Sequence, residues 1–243
     1  MPEKKKRSVL MKDVIIACDF KDAKTTLNFL DQFKNKKPFV KVGMEIFYTE
    51  GPSIVRELKA RGHKIFLDLK LHDIPNTVKS AMQSLSNLDP DIIDVHAAGT
   101  IEMMRAALEG VTRQDGTKPI VVAVTQLTST SQDIMNHELL IPASMEETVL
   151  HYAKNAQKAG LSGIVCSPLE AEIVKKTIGN NFVTITPGIR LANAMKDDQV
   201  RVSTPEQAKR IGTDFIVVGR PITRAEDPLA AYHTFLNAFL GEE

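Results

Sequence analysis

Eight short runs rich in valine and isoleucine alternate with eight amphipathic stretches along this chain, and that alternation limits the fold more than any other feature. The runs are residues 13–20 (DVIIACDF), 38–44 (PFVKVGM), 63–70 (HKIFLDLK), 91–97 (DIIDVHA), 119–125 (PIVVAVT), 162–167 (SGIVCS), 181–186 (NFVTIT) and 213–219 (TDFIVVG). Helical periodicity falls at 22–34, 50–61, 76–87, 99–113, 145–159, 168–178, 203–211 and 226–239, as in Leu27, Leu30 and Phe33. Near-continuous aliphatic strands suit a parallel sheet covered by helices. Eight β/α units within 243 residues predict a single (β/α)8 TIM barrel over residues 12–243. A doubly wound open sheet is the competitor, but no G-x-G-x-x-G follows the first run. Ser144 with Glu147 reads as a capping box, and Ser203-Thr204-Pro205-Glu206 as a cap with proline in the first turn.

Apolar residues make up 43% of the chain, enough for a substantial core. A net charge of +1 argues against nucleic acid or a membrane surface as the main partner. No apolar run approaches the roughly 18 residues needed to span a bilayer. Residues 1–11 are basic, lack the apolar centre of a secretory signal and are expected to be a flexible extension. The two cysteines, Cys18 and Cys166, have neither zinc-ligand nor redox spacing and read as buried, reduced thiols of a cytoplasmic protein.

Polar residues at the strand ends pick out one mouth of the barrel. Asp19 ends the first strand, Lys41 interrupts the second, Asp68 and Lys70 end the third with Asp73 beyond, and His96 ends the fourth. Side chains two apart share a strand face, so Asp68 and Lys70 project together. The third strand then breaks at Pro75, which can open the next helix. Lys41 lies in an apolar run and is expected to point inward, with Asp68 on the neighbouring strand as its partner.

An ion-pair network that only fixes strand packing is one reading, although charges clustered for packing alone tend to destabilise a core. Metal binding by Asp19, Asp68, Asp73 and His96 is another, opposed by the two ammonium groups in the same cluster. Schiff-base chemistry is a third. It needs a neutral amine, whereas the flanking carboxylates keep Lys70 charged. A charged lysine suits electrostatic stabilisation and proton donation.

The eighth strand ends in Gly219 and Arg220, a close-approach position followed by a forked cation. Loops after strands seven and eight are the usual phosphate site of such barrels, and Arg190 and Gln199 lie on the seventh. Two loops are long, 126–144 and 186–202, and both are expected over the mouth as lids.

The motifs IIACDF, FVKVGMEIF, FLDLKLHDIPNTV, VTQLTS, TPGIR with DDQVRV, and VVGRPIT together resemble the orotidine 5′-phosphate decarboxylase family over about residues 12–240. The resemblance implies a homodimer with sites at the subunit interface and no metal or organic cofactor. It assigns Lys41, Asp68 and Lys70 to a charged array, with Asp73 reaching in from the other subunit and Lys70 as the proton donor. Asp19 and Lys41 would bind ribose hydroxyls, and Thr128 would face the pyrimidine edge. Arg190, Gln199, Gly219 and Arg220 would hold a phosphate. The binding segment would run through Asp68, Leu69, Lys70, Leu71, His72, Asp73, Ile74, Pro75, Asn76 and Thr77, some of it acting in trans.

Overall fold

Every predicted strand forms, and each pairs in parallel with its sequence neighbours until β8 closes on β1. The computed structural model describes residues 12–112, 116–192 and 203–241. The strands are β1 (Asp13–Ala17), β2 (Phe39–Gly43), β3 (Ile65–Leu71), β4 (Ile92–His96), β5 (Ile120–Val124), β6 (Gly163–Val165), β7 (Val183–Thr186) and β8 (Phe215–Val218). The helices are α1 (Ala23–Asp31), α2 (Met44–Glu50), α3 (Pro52–Ala60), α4 (Pro75–Ser86), α5 (Thr100–Gly110), α6 (Gln132–His137), α7 (Met145–Ala159), α8 (Pro168–Ile178), α9 (Pro205–Ile211), α10 (Arg220–Thr223) and α11 (Pro228–Leu240). A 3-10 turn, Ala97–Gly99, joins β4 to α5.

Strand alternation separates the apolar residues into two cores. One set, including Ile15, Phe39, Phe66, Ile92, Val122, Ile185 and Phe215, fills the barrel interior. The other, including Val14, Ile16, Val40, Val42, Ile65, Leu67, Ile93 and Val95, faces outward and packs beneath the helices. Phe39 and Phe215 meet edge to face inside the barrel, with ring centroids 5.9 Å apart. Above this apolar floor, the inward positions change character to Lys41, Asp68, Lys70 and Asp94.

Several helices begin where local chemistry dictates. Asp22 accepts the Thr25 N–H at 2.7 Å to start α1, and Ser144 with Glu147 forms the expected capping box on α7. Thr204 caps α9 reciprocally with Gln207, and Pro75 occupies the first turn of α4. Helices α4 and α5 pack closely because Gly110 lacks a side chain: a Cβ there would lie 2.2 Å from the Lys79 carbonyl oxygen.

Three helices lie outside the predicted spans. Helix α2 follows β2 directly and ends at Gly51, whose φ of 66° separates it from α3. Helix α6 gives the long fifth loop its own order: Ser131 accepts the Ile134 N–H, and Asn136 holds the Ala143 carbonyl. Helix α10 is a single turn directly after Gly219. The first strand is also shorter than predicted: it ends at Ala17, the Cys18 N–H makes a last bond to the Lys41 carbonyl at 3.0 Å, and the chain then presents Asp19 at the mouth.

Candidate active site

Four charged groups meet at the carboxyl ends of β1, β2 and β3. Lys41 Nζ lies 2.9 Å from Asp19 Oδ1 and 3.2 Å from Asp68 Oδ2, while Lys70 Nζ pairs with Asp68 Oδ1. Asp68 therefore bridges the two ammonium groups, one through each oxygen. It is buried, whereas Asp19 is half open to solvent. Burial alone would push the Lys41 amine toward neutrality, but Asp68 and then Asp19 outweigh it, and its pKa lies above the usual lysine value. For Asp68, burial favours protonation. Lys41, the adjoining Asp94 carboxyl and Lys70 overcome it and hold the carboxyl well below the usual range. Both groups stay charged at neutral pH.

The backbone that delivers Lys70 is irregular. Leu67 pairs with Ile93 and Leu71 with Val95, so four steps along β3 match two along β4. Inside that bulge Lys70 adopts a φ of 51°, a left-handed conformation uncommon for a non-glycine residue. The N–H groups of Leu69 and Lys70 leave the ladder and donate to Asp94 Oδ1, at 3.0 and 2.8 Å.

Two cavities open from this array. One, of about 330 Å³, is lined by Lys41, Asp68, Lys70 and Phe66 together with Gln126, Leu127, Thr128 and Ser129 of the fifth loop. The other, of about 410 Å³, is lined by Asp19, Lys41, Gly188, Arg190, Gly219, Arg220, Thr223 and Arg224. They share Lys41, Pro187 and Val217, so they form two lobes of one mouth. The first suits a flat, partly apolar ring and the second an anion. A larger surface depression of about 780 Å³ between α8 and α9 shares no residue with either lobe.

Of the residues singled out from the sequence, Asp19, Lys41, Asp68, Lys70, Thr128, Arg190, Gly219 and Arg220 line these lobes. Arg190 is buried and donates to the Ile189 carbonyl through Nη1 at 2.9 Å. Gln199 lies outside the described residues, as does the rest of the seventh loop from 193 to 202. Leu69 is buried in the outer core and Leu71 packs against that core, so neither side chain lines a lobe. His72, Asp73, Ile74, Asn76 and Thr77 are exposed and Pro75 is half-buried, all beyond the lining of the lobes. Asp73 accepts the Ile74 N–H at 2.6 Å.

His96 stacks on His72, with ring centroids 5.4 Å apart and planes 13° from parallel, and its Nδ1 accepts the Ala98 N–H. Burial, then His72 and Lys70, pushes its pKa down, which keeps the ring neutral. Cys18 and Cys166 are free and buried, and burial pushes the Cys18 thiol up to about 12, so it is no nucleophile at neutral pH. Among the described residues no cluster of three or more His, Cys, Asp or Glu is arranged to hold a metal ion. No helix among them is long and apolar enough to cross a membrane.

Sequence reasoning missed Asp94 and the second-lobe residues Thr223 and Arg224. A signal for Asp94 was present: Ile92, Asp94 and His96 share one strand parity, and His96 already pointed to the mouth.

Comparison with known proteins agrees with this geometry. The sequence model described as Orotidine 5'-phosphate decarboxylase / HUMPS family matches residues 12–235. The chain is 54% identical over 232 residues to the orotidine 5'-phosphate decarboxylase of Geobacillus sp. (strain WCH70), covering 94% of this chain and 97% of that protein. It is 56% identical over 228 residues to the Bacillus cytotoxicus protein of the same name, covering 93% and 96%. The crystal structure of orotidine 5'-phosphate decarboxylase from Lactobacillus acidophilus superposes with a TM-score of 0.84 at 40% identity, covering 94% of this chain and 99% of that one.

Proposed function

The chain belongs to the orotidine 5′-phosphate decarboxylase / HUMPS family, and we propose that it converts orotidine 5′-monophosphate to UMP and CO2 without a cofactor. The observation that carries this reading is the Lys70 ammonium, paired with Asp68 at the wall of a ring-sized lobe that adjoins an arginine-lined one.

Loss of CO2 from C6 of the pyrimidine leaves negative charge on an sp2 carbon with no neighbouring carbonyl to delocalise it. With no cofactor acting as electron sink, the protein stabilises that charge directly. Lys70 supplies an ammonium at the wall of the ring-sized lobe and then the proton that quenches C6, leaving a neutral amine. A unit charge about 4 Å away contributes roughly 4 kcal/mol at an effective dielectric near 20. Slow uncatalysed reactions need up to about 20 kcal/mol of barrier lowering. One lysine therefore supplies a fraction, and binding energy from parts of the substrate remote from C6 supplies much of the rest.

In this reading Arg190 and Arg220 hold the 5′-phosphate, with Gln199 as a further ligand and Gly219 giving the backbone close approach. Asp19 and Lys41 bind the ribose hydroxyls, and Thr128 faces the base. Asp68 pairs with both lysines and aims them. The active form is a homodimer, and Asp73 with the Ile74–Thr77 segment enters the site of the neighbouring subunit. The exposure of that segment beside Lys70, with Ile74 68% exposed, supports this role in trans. The enzyme acts in pyrimidine biosynthesis in the cytoplasm.

The test is loss of the orotidylate absorbance band on addition of the purified chain, before and after dialysis against a chelator. Turnover that survives chelation is expected. Absence of turnover, or turnover restored only by a divalent cation, would overturn the proposal.

A further inference from the structure

Asp94 is wholly buried, and it sits on β4 against the β3 bulge. Its two oxygens have different surroundings. Oδ1 accepts two backbone N–H groups, from Leu69 and Lys70. Oδ2 is buried with no donor to accept from. The titratable groups that face Asp94 are Asp68 and Lys70, and the Lys70 ammonium is already paired with Asp68.

A buried carboxylate oxygen without a donor, set against a second carboxylate, is costly when both are ionised. A single proton between them removes the repulsion and satisfies the orphan oxygen. Asp68 has two ammonium groups at its oxygens and keeps its charge, so the proton resides on Asp94. Burial first, and then the charge of Asp68, acts on Asp94 in that same direction.

We infer that Asp94 is a positioning residue of the proposed decarboxylation site, a neutral carboxylic acid that pins the Leu69–Lys70 bulge through Oδ1 and donates its Oδ2 proton to the Asp68 carboxylate. Each bond has a separate effect. The two backbone bonds take the place of the strand ladder that the bulge breaks, and they hold Lys70 in its left-handed conformation. The donated proton fixes the orientation of Asp68, whose other lone pairs hold Lys41 and Lys70. The ammonium proposed to meet C6 is thus aimed from both backbone and side chain. Because this inference rests on the proposed reaction, it is tested by one measurement that needs no turnover and one that does.

Infrared difference spectra of the full chain, wild type minus D94N at neutral pH, report the protonation state directly. A protonated-carboxyl C=O band that is lost in D94N and shifts in D2O is expected. Loss of carboxylate bands instead would overturn the inference, whether or not the chain decarboxylates orotidylate.

Kinetics test the positioning. Asparagine reproduces both roles, with its Oδ1 accepting and its amide donating. D94N is therefore expected to keep most of kcat, whereas D94L loses about a hundredfold with little change in KM, the scale of a ~1 Å misplacement of a reacting group. Equal losses in D94N and D94L would overturn the positioning role, and so would wild-type turnover in D94L. Where D94L does not fold, D94S, which keeps a small polar group but cannot span both partners, replaces it with the same expected loss in kcat. Failure of wild type to consume orotidylate would refute the proposed function and leave the infrared band to judge the proton on Asp94.

Discussion

Removing the Asp68 carboxylate should cost stability out of proportion to the size of the side chain. Asp68→Ala leaves Lys41, whose side chain is only 11% exposed, paired with the half-exposed Asp19 alone among the described residues, and it leaves Lys70 without the carboxylate it pairs with. Breaking a buried ion pair on one side costs about 3–5 kcal/mol, since the other charge stays buried. Ionisation of Asp94 in the vacated space offsets part of that, which puts the expected loss near 3 kcal/mol. For a chain of this length, each kcal/mol corresponds to about 2–4 °C in the melting temperature, so a fall of roughly 6–12 °C is expected.

The pH dependence gives a second handle. The folded pKa of Asp68 lies below its unfolded value, so its contribution is fully present above about pH 4 and is lost as pH falls through the folded pKa. Lys41 has the opposite sign: its folded pKa is raised, so its contribution is present below about pH 10 and is lost as pH rises through the folded value. The gap between wild type and D68A should therefore stay nearly constant from about pH 5 to 9 and narrow beyond both ends. Calorimetry or thermal melting followed by circular dichroism across that range checks it. A D68A protein melting within about 2 °C of wild type at neutral pH would show that the array is solvated and that the burial argument is mistaken.

Other substitutions test separate parts of the account. Thr100 has φ 77° and ψ 168°, a region that is nearly glycine-only, so Thr100→Gly should raise stability by about 1 kcal/mol after the extra chain entropy of glycine; a lower melting temperature would remove the strain argument. Lys175 is buried on α8, where Nζ reaches the Phe182 carbonyl at 2.9 Å and Asp214 Oδ2 at 2.6 Å. Lys175→Ala should therefore cost about 3 kcal/mol in chemical denaturation with kcat unchanged, and a neutral result would contradict a structural role for this pair. Arg220→Ala should lower kcat/KM for orotidine 5′-monophosphate far more than for orotidine, and equal losses would exclude a phosphate role for the second lobe.

The barrel was legible because strand parity and helix periodicity are local properties. Ile15, Phe39 and Phe66 alternate with outward neighbours whatever else the chain does, and all eight strands lie where the aliphatic runs fall. The ion pairs of Lys41 and Lys70 with Asp68 were equally accessible: a charge on an inward position of an apolar strand needs a partner, which the adjoining strand offered Lys41 and the same face of β3 offered Lys70. Two features could not be read in that way. The bulge at Lys70 depends on Asp94, 24 residues further along, and no local pattern marks a positive φ at a lysine. Helix α2 was missed because it starts with no loop after β2 and has no side-chain cap to announce it. The largely exposed run from His72 to Thr77 looks, within one chain, like an ordinary surface connection, and the role proposed for it requires a second subunit.

The most direct measurement is single-turnover decarboxylation of orotidine 5′-monophosphate by Lys70→Ala, with its melting temperature recorded in parallel. In the proposed mechanism, loss of the roughly 4 kcal/mol of charge stabilisation alone slows the chemical step by about a thousandfold, and loss of the proposed proton donor adds to that. A folded K70A protein slowed at least that much is the expected outcome. A folded K70A protein whose rate is close to that of the wild type would contradict the assignment of the carbanion's counter-charge and proton to this residue.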